Sequence, residues 1–141
     1  MNDNLIFSRN WEDTSMVELK VEAQNEYVHV WQTCYTQNEF LAEQASRIKH
    51  FMSEAILSLM IVFGQLEGNA TPSFSMKVIK VDQSGHLQVE LNMENEDDDQ
   101  RRHRCQLYVA TEVGQVLDFC QHLLAFSEHQ TDRVELNKNN F

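Results

Sequence analysis

"FSMKVIKVDQSGHLQVELNM", Phe74 to Met93, is the stretch that decides the fold class. Apolar and polar residues alternate on both sides of "DQSG", the period of strands with one buried face. An aspartate opening and a glycine closing that segment is turn chemistry. A four-residue turn over Asp82 to Gly85 sets Val81 against His86, and hence Phe74 against Met93, Met76 against Leu91 and Val78 against Val89. The other face then carries Ser75 with Asn92, Lys77 with Glu90 and Ile79 with Gln88. A slip of one residue would bury Lys77, so the register is strongly implied.

Toward the C-terminus, "HRCQLYVA" supplies a third antiparallel strand, with His103, Cys105, Leu107 and Val109 on one face. Glu94 to Arg102, "ENEDDDQRR", is expected to be a long hydrophilic hairpin tip before it. Thr111 is positioned to cap a helix whose Val113, Val116, Leu117, Cys120 and Leu124 form the buried stripe. "DRVEL" reads as a last edge strand and "NKNNF" as a frayed tail.

Toward the N-terminus, "MVELKVEAQ" and "YVHVWQTCY" also alternate. A two-residue Asn25-Glu26 turn would pair Ala23 with Val28, Val21 with Val30 and Val17 with Cys34. Tyr27, His29, Trp31, Thr33 and Tyr35 fall on the opposite face, beside Glu18 and Glu22. From Asn38 the period becomes helical: Leu41, Ala45, Ile48, Met52 and Ala55 or Ile56 recur on one side. "ILSLMIVFG" either prolongs this helix to about Met60 or holds a short buried strand at Ile61 to Phe63. Gly64, Gly68 and Pro72 mark an exposed connection. The expected architecture over residues 1–141 is a single α+β domain, a mostly antiparallel β-sheet with two helices packed on one face.

A chain of 141 residues, 42% apolar, can bury a core without covalent staples. Its formal charge of −11 repels nucleic acid and draws basic macromolecules. No apolar run approaches the roughly 18 residues that cross a bilayer, and "MNDNLIF" lacks the features of a signal peptide, so a cytoplasmic location is expected and no membrane partner. Cys34, Cys105 and Cys120, odd in number and widely spaced, suit reduced, buried thiols better than a disulfide framework.

Several clusters compete as functional sites. The acidic run Glu94, Glu96, Asp97, Asp98 and Asp99 lacks the glycine and distal glutamate of a helix-loop-helix calcium loop; it is either a solvated tip or a docking element for a cationic partner. His103 and Cys105 share one side of a strand and would need two further ligands, from Cys120, His122 or His86, to hold zinc; packing is the simpler reading. Asp82 and His86 across the turn resemble an acid/base couple but are explained by turn chemistry. No Gly-rich phosphate loop, H-E-x-x-H, G-x-S-x-G or P-C-x-x-C pattern occurs, and neither catalysis nor a cofactor or metal is expected. Tyr27, His29, Trp31 and Tyr35 with Glu18 and Glu22 combine amphipathic anchors with negative charge, suited to a basic protein, provided the helices do not cover that face. An exposed stripe would serve a homodimer as well as a foreign partner.

"NATPSFSMKVIKVDQSGHLQVELNMENEDD", continuing into "HRCQLYVATEVGQVLDFCQHLL", resembles a family of small bacterial proteins with a P-x-F-S strand, a D-x-x-G-H turn, an acidic strand end, an H-x-C-x-[FY]-V strand and a T-E-x-G helix start. The similarity runs from Thr71 to Leu124. Such proteins resemble immunity proteins of contact-dependent inhibition type, which protect a producer by binding a toxin domain. The resemblance implies a toxin inhibitor without catalytic residues; the charge adds that its cognate toxin domain is basic, such as a nuclease. The alternatives are a small-ligand or metal-binding regulatory domain, or a homo-oligomeric subunit.

Overall fold

The computed structural model describes residues 3–64, 73–98 and 101–138. In chain order the elements are β1 (Asn4–Glu12), β2 (Val17–Gln24), β3 (His29–Thr36), α1 (Asn38–Met52), β4 (Ser58–Phe63), β5 (Phe74–Lys80), β6 (His86–Asp98), β7 (Arg101–Glu112), α2 (Val113–Ser127) and β8 (Arg133–Glu135). The α+β class and the antiparallel pairing stand, but the strands form two four-stranded sheets in place of one, ordered β3-β2-β1-β8 and β4-β5-β6-β7.

The β5–β6 hairpin has the expected register, with Met76 opposite Leu91, Lys77 opposite Glu90 and Val78 opposite Val89. Its turn is fastened by Asp82, whose Oδ1 accepts from the Ser84 and His86 amides, and Gly85 supplies the positive φ of 93° that side-chain-bearing residues resist. The β2–β3 hairpin turns over four residues, not two. Asn25 Oδ1 accepts from the Tyr27 and Val28 amides, and Ala23 therefore pairs with Val30 and Val21 with Gln32. A shift of two residues preserves which face each side chain occupies, so the assignment of faces survives the correction.

Five further expectations are corrected. β1 went unrecognised because only Leu5 and Phe7 alternate cleanly before a bulge between Arg9 and Trp11 breaks the period. Of the two readings of "ILSLMIVFG" the strand holds, though it runs over all of "SLMIVF" and not Ile61 to Phe63 alone, and α1 stops at Met52, leaving Ala55 and Ile56 exposed. The acidic segment is no long loop: β6 and β7 continue as a ladder with Glu94 across from Arg104, Glu96 from Arg102 and Asp98 from Arg101. Thr111 lies within β7 instead of capping α2, whose N-cap position falls to Glu112, and its buried hydroxyl donates to Asn137 Oδ1 at 2.7 Å. α2 buries Val116, Phe119, Cys120, Leu123 and Phe126, while Leu117 and Leu124 are exposed; with apolar residues most of the way round, the larger phenylalanine rings decide which side turns inward. The expected connection through Gly68 and Pro72 lies outside the described residues, as does most of the expected tail.

The inner faces of both sheets and the buried stripes of both helices share one core. Phe7 stands at its centre, edge-on to Phe63 of β4 (5.6 Å), Phe74 of β5 (6.0 Å) and Phe119 of α2 (5.4 Å), and Phe40 of α1 joins through Phe63 (5.5 Å). At the bulge end, Arg9 stacks on the Phe126 ring and donates to the Phe126 carbonyl at 2.7 Å. Its Nε also lies 2.7 Å from Glu12 Oε1, an ionic contact off the N–H direction. Glu12 in turn accepts from Asn38 at the start of α1 and contacts His129 at 2.7 Å. His129 follows α2 with φ 62°, a left-handed conformation costing on the order of 1 kcal/mol in a residue with a Cβ. The Glu12 contact sits where that cost is met.

Replacing Phe7 by alanine is expected to lower unfolding free energy by about 3–5 kcal/mol, and Leu123→Ala by about 2–5, whereas Leu117→Ala stays within about 1 kcal/mol; urea titrations distinguish these outcomes. The His129 contact holds the Glu12 carboxyl below its ordinary value of 4.5, and the His86 hydrogen bond does the same for Asp82 below 3.8. Lowered folded-state values mean that both contributions are complete above the unfolded values and vanish as pH falls through the folded ones. The urea midpoint is therefore expected to drop below about pH 4.5, less steeply in Glu12→Gln.

Candidate protein-binding face

The inner face of the β3-β2-β1-β8 sheet is buried in the core it shares with the second sheet and the helices, which leaves the aromatic stripe outside. Cross-strand register builds that outer face in rows: Trp11, Glu18 and Tyr35; then Ser8, Lys20 and Thr33; then Ile6, Glu22 and Trp31; then Gln24 beside His29. Trp31 is 50% and Trp11 49% exposed, and Tyr27, at the hairpin turn, is 83% exposed. Tyr35 is half-buried. Trp11 was missed from sequence because the bulge at Asn10 alone turns it outward to face Glu18; an aromatic just after a broken alternation was the available signal.

The polar residues on this face hold one another in place. Lys20 Nζ lies 5.1 Å from the Trp31 ring centroid and 3.4 Å from Glu22 Oε1, and His29 Nε2 is 3.8 Å from Glu22 Oε2. Asn10 donates to Glu18. The carboxylates are thus oriented at the surface, with aromatic planes between them.

The acidic arm is adjacent. The Glu94 amide donates to Gln32 Oε1 at 2.8 Å and Asn95 Nδ2 to the Trp31 carbonyl at 3.3 Å, which ties the end of β6 to the edge of β3. Two candidates that stand far apart in the chain are therefore neighbours. Arg104 pairs with Glu94 at 3.1 Å, and the ladder sets further arginines opposite Glu96 and Asp98, with Asp97 at the bulge between them; Asp99 lies outside the described residues.

The thiols occupy different surroundings. Cys34 and Cys120 are buried and free; burial pushes Cys34 up to about 12, with Glu18 adding to the effect, and pushes Cys120 up to about 11. Cys105 is half-buried and His103 exposed. Among the described residues no three His, Cys, Asp or Glu side chains are grouped to hold a metal. An open groove of about 560 Å³ between α1 and α2 reaches Cys120 beside Lys49 and Asp118, with no histidine in its lining. No helix among the described residues is long and apolar enough to cross a membrane. No known family model, curated protein or solved structure matches this chain significantly.

Thiol reactivity tests this description. In the folded protein at pH 8, Cys105 is expected to be alkylated first, Cys120 slowly from its groove, and Cys34 only at the rate of unfolding; all three react together in denaturant. Rapid labelling of Cys34 or Cys120 in the native state would contradict their placement.

Proposed function

We propose that the protein is an immunity-type inhibitor that binds a basic antibacterial toxin domain through the outer face of the β3-β2-β1-β8 sheet and the adjoining acidic arm. One observation carries the reading: Trp11, Trp31, Tyr35 and Tyr27 stand outside the core, interleaved with Glu18 and Glu22, in a chain of net charge −11. Tryptophan and tyrosine dominate binding energy at protein interfaces, and complementary charge accelerates encounter. Both tryptophans can contribute area without a folding step, because the sheet already orients them. The resemblance of Thr71 to Leu124 to immunity-like proteins agrees with this use and supplies the kind of partner.

The test is a titration of the full chain against the toxin domain encoded beside its gene. Association is expected to slow markedly as salt rises. Trp31→Ala or Trp11→Ala should weaken binding by about 2 kcal/mol or more, roughly thirtyfold, while removing charge at Glu18 and Glu22 or across Glu96 to Asp99 should act mainly on the association rate. Affinity indifferent to both tryptophan truncations, in variants shown to be folded, would exclude this face.

A further inference from the structure

The four sheet edges are treated unequally. Along β7, Asp3 Oδ2 accepts from the Ala110 amide at 2.9 Å, Asn137 Nδ2 donates to the Ala110 carbonyl at 2.8 Å and Asn25 Nδ2 donates to the Tyr108 carbonyl at 3.0 Å. Side chains flanking the ends of β1, β2 and β8 thus occupy the groups that a foreign strand would use. β3 has its Trp31 carbonyl taken by Asn95, and β8 is only three residues long. β4 has no such protection among the described residues.

The geometry of β4 shows which of its groups are open. Lys80 N donates to the Leu57 carbonyl at 2.9 Å, so the main chain of residue 57 points toward β5. Alternation along an antiparallel strand then directs Leu59, Ile61 and Phe63 to β5, and the N–H and C=O groups of Ser58, Met60 and Val62 away from the sheet. Nine consecutive residues here, Ala55 to Phe63, carry no charge. Around this edge Leu57 is 69%, Val81 59%, Ile56 54% and Met60 48% exposed, an apolar patch on an otherwise strongly anionic molecule.

We infer that β4 is a self-pairing edge, through which two copies of this chain join antiparallel across a two-fold axis at Met60 and make their two β4-β5-β6-β7 sheets continuous. Charge limits where a second copy can dock. Two molecules of net charge −11 repel over most of their surfaces and can approach where charge is lacking. The three outward residues are self-complementary: Ser58 of one copy faces Val62 of the other and Met60 faces Met60, forming about six main-chain hydrogen bonds. The same register lays the exposed Leu57 of one copy beside the strand end at Phe63 of the other, covering part of the Leu57 side chain. In the ladder Lys77 lies between Met60 and Glu90, so the nearest cation on each side of the junction has its own carboxylate across the next strand pair.

Sedimentation of the full chain over a concentration series is expected to show a monomer–dimer equilibrium. Met60→Lys, which sets two ammonium groups against each other on the axis, should raise the dissociation midpoint at least about tenfold, roughly 1.4 kcal/mol. Met60→Pro should act in the same direction, since it removes an outward N–H and no β5 bond, with circular dichroism confirming the fold of both variants. Oxidation checks the register. Residues facing each other in a hydrogen-bonded antiparallel pair have Cα atoms about 5.5 Å apart, within disulfide range, so Met60→Cys should form a covalent dimer rapidly and Ser58→Cys should not. A chain that stays monomeric at the highest attainable concentration, a dimer indifferent to both Met60 substitutions, or faster crosslinking of Ser58→Cys overturns the inference. Because this edge and the aromatic face belong to different sheets, neither result depends on toxin binding.

Discussion

Phe7 is the point through which the two sheets communicate. Its ring, carried by one sheet, meets phenylalanines of the other sheet and of α2 edge-on, so the positive rim of one ring repeatedly faces the negative face of another. This arrangement constrains more than the core. With Phe7 turned inward, residues one position away along β1 must turn outward, and the outer face of that sheet is left to whatever its sequence supplies. What it supplies is Ile6, Ser8 and, after one extra residue, Trp11.

The surface divides into regions governed by different physics. The outer face of the first sheet carries broad aromatic planes set among oriented carboxylates, the surface on which the proposed binding rests. The β4 edge offers backbone hydrogen bonds without charge, suited to another extended strand. The β6–β7 ladder carries the acidic run and pairs Glu94 with Arg104, so part of that carboxylate's field is spent within the ribbon. The buried thiols contribute packing, since a sulfhydryl kept protonated by desolvation is a poor nucleophile.

How much of this was legible in the residues depends on how local the determining interaction is. The Asp82 to Gly85 turn and its hairpin follow from neighbours in sequence, and the pairing of Lys77 with Glu90 came out as expected. The β2–β3 turn length was misjudged because Asn25 can begin either a two- or a four-residue turn, yet the aromatic stripe kept its face because only an odd shift would have inverted it. The orientation of α2 was not legible. Leu117 and Leu124 suit a buried stripe as well as Phe119 and Leu123 do, and a helix apolar most of the way round is turned by the cavity it must fill.

By itself the sequence determined the alternation of strands, the two amphipathic helices, the excess of acid and the side of its strand on which each aromatic of β3 lies, because each depends on spacing along one segment. Only the tertiary structure decided that the strands form two sheets, that Trp11 joins Trp31 on one exposed face, that the acidic ladder abuts that face, and that β4 is, among the described residues, an edge with no strand beyond it. The physical reason is common to all four. Each outcome is settled by which apolar surface another segment covers, and that competition for burial is decided by volume and shape in three dimensions, where periodicity along the chain carries no information.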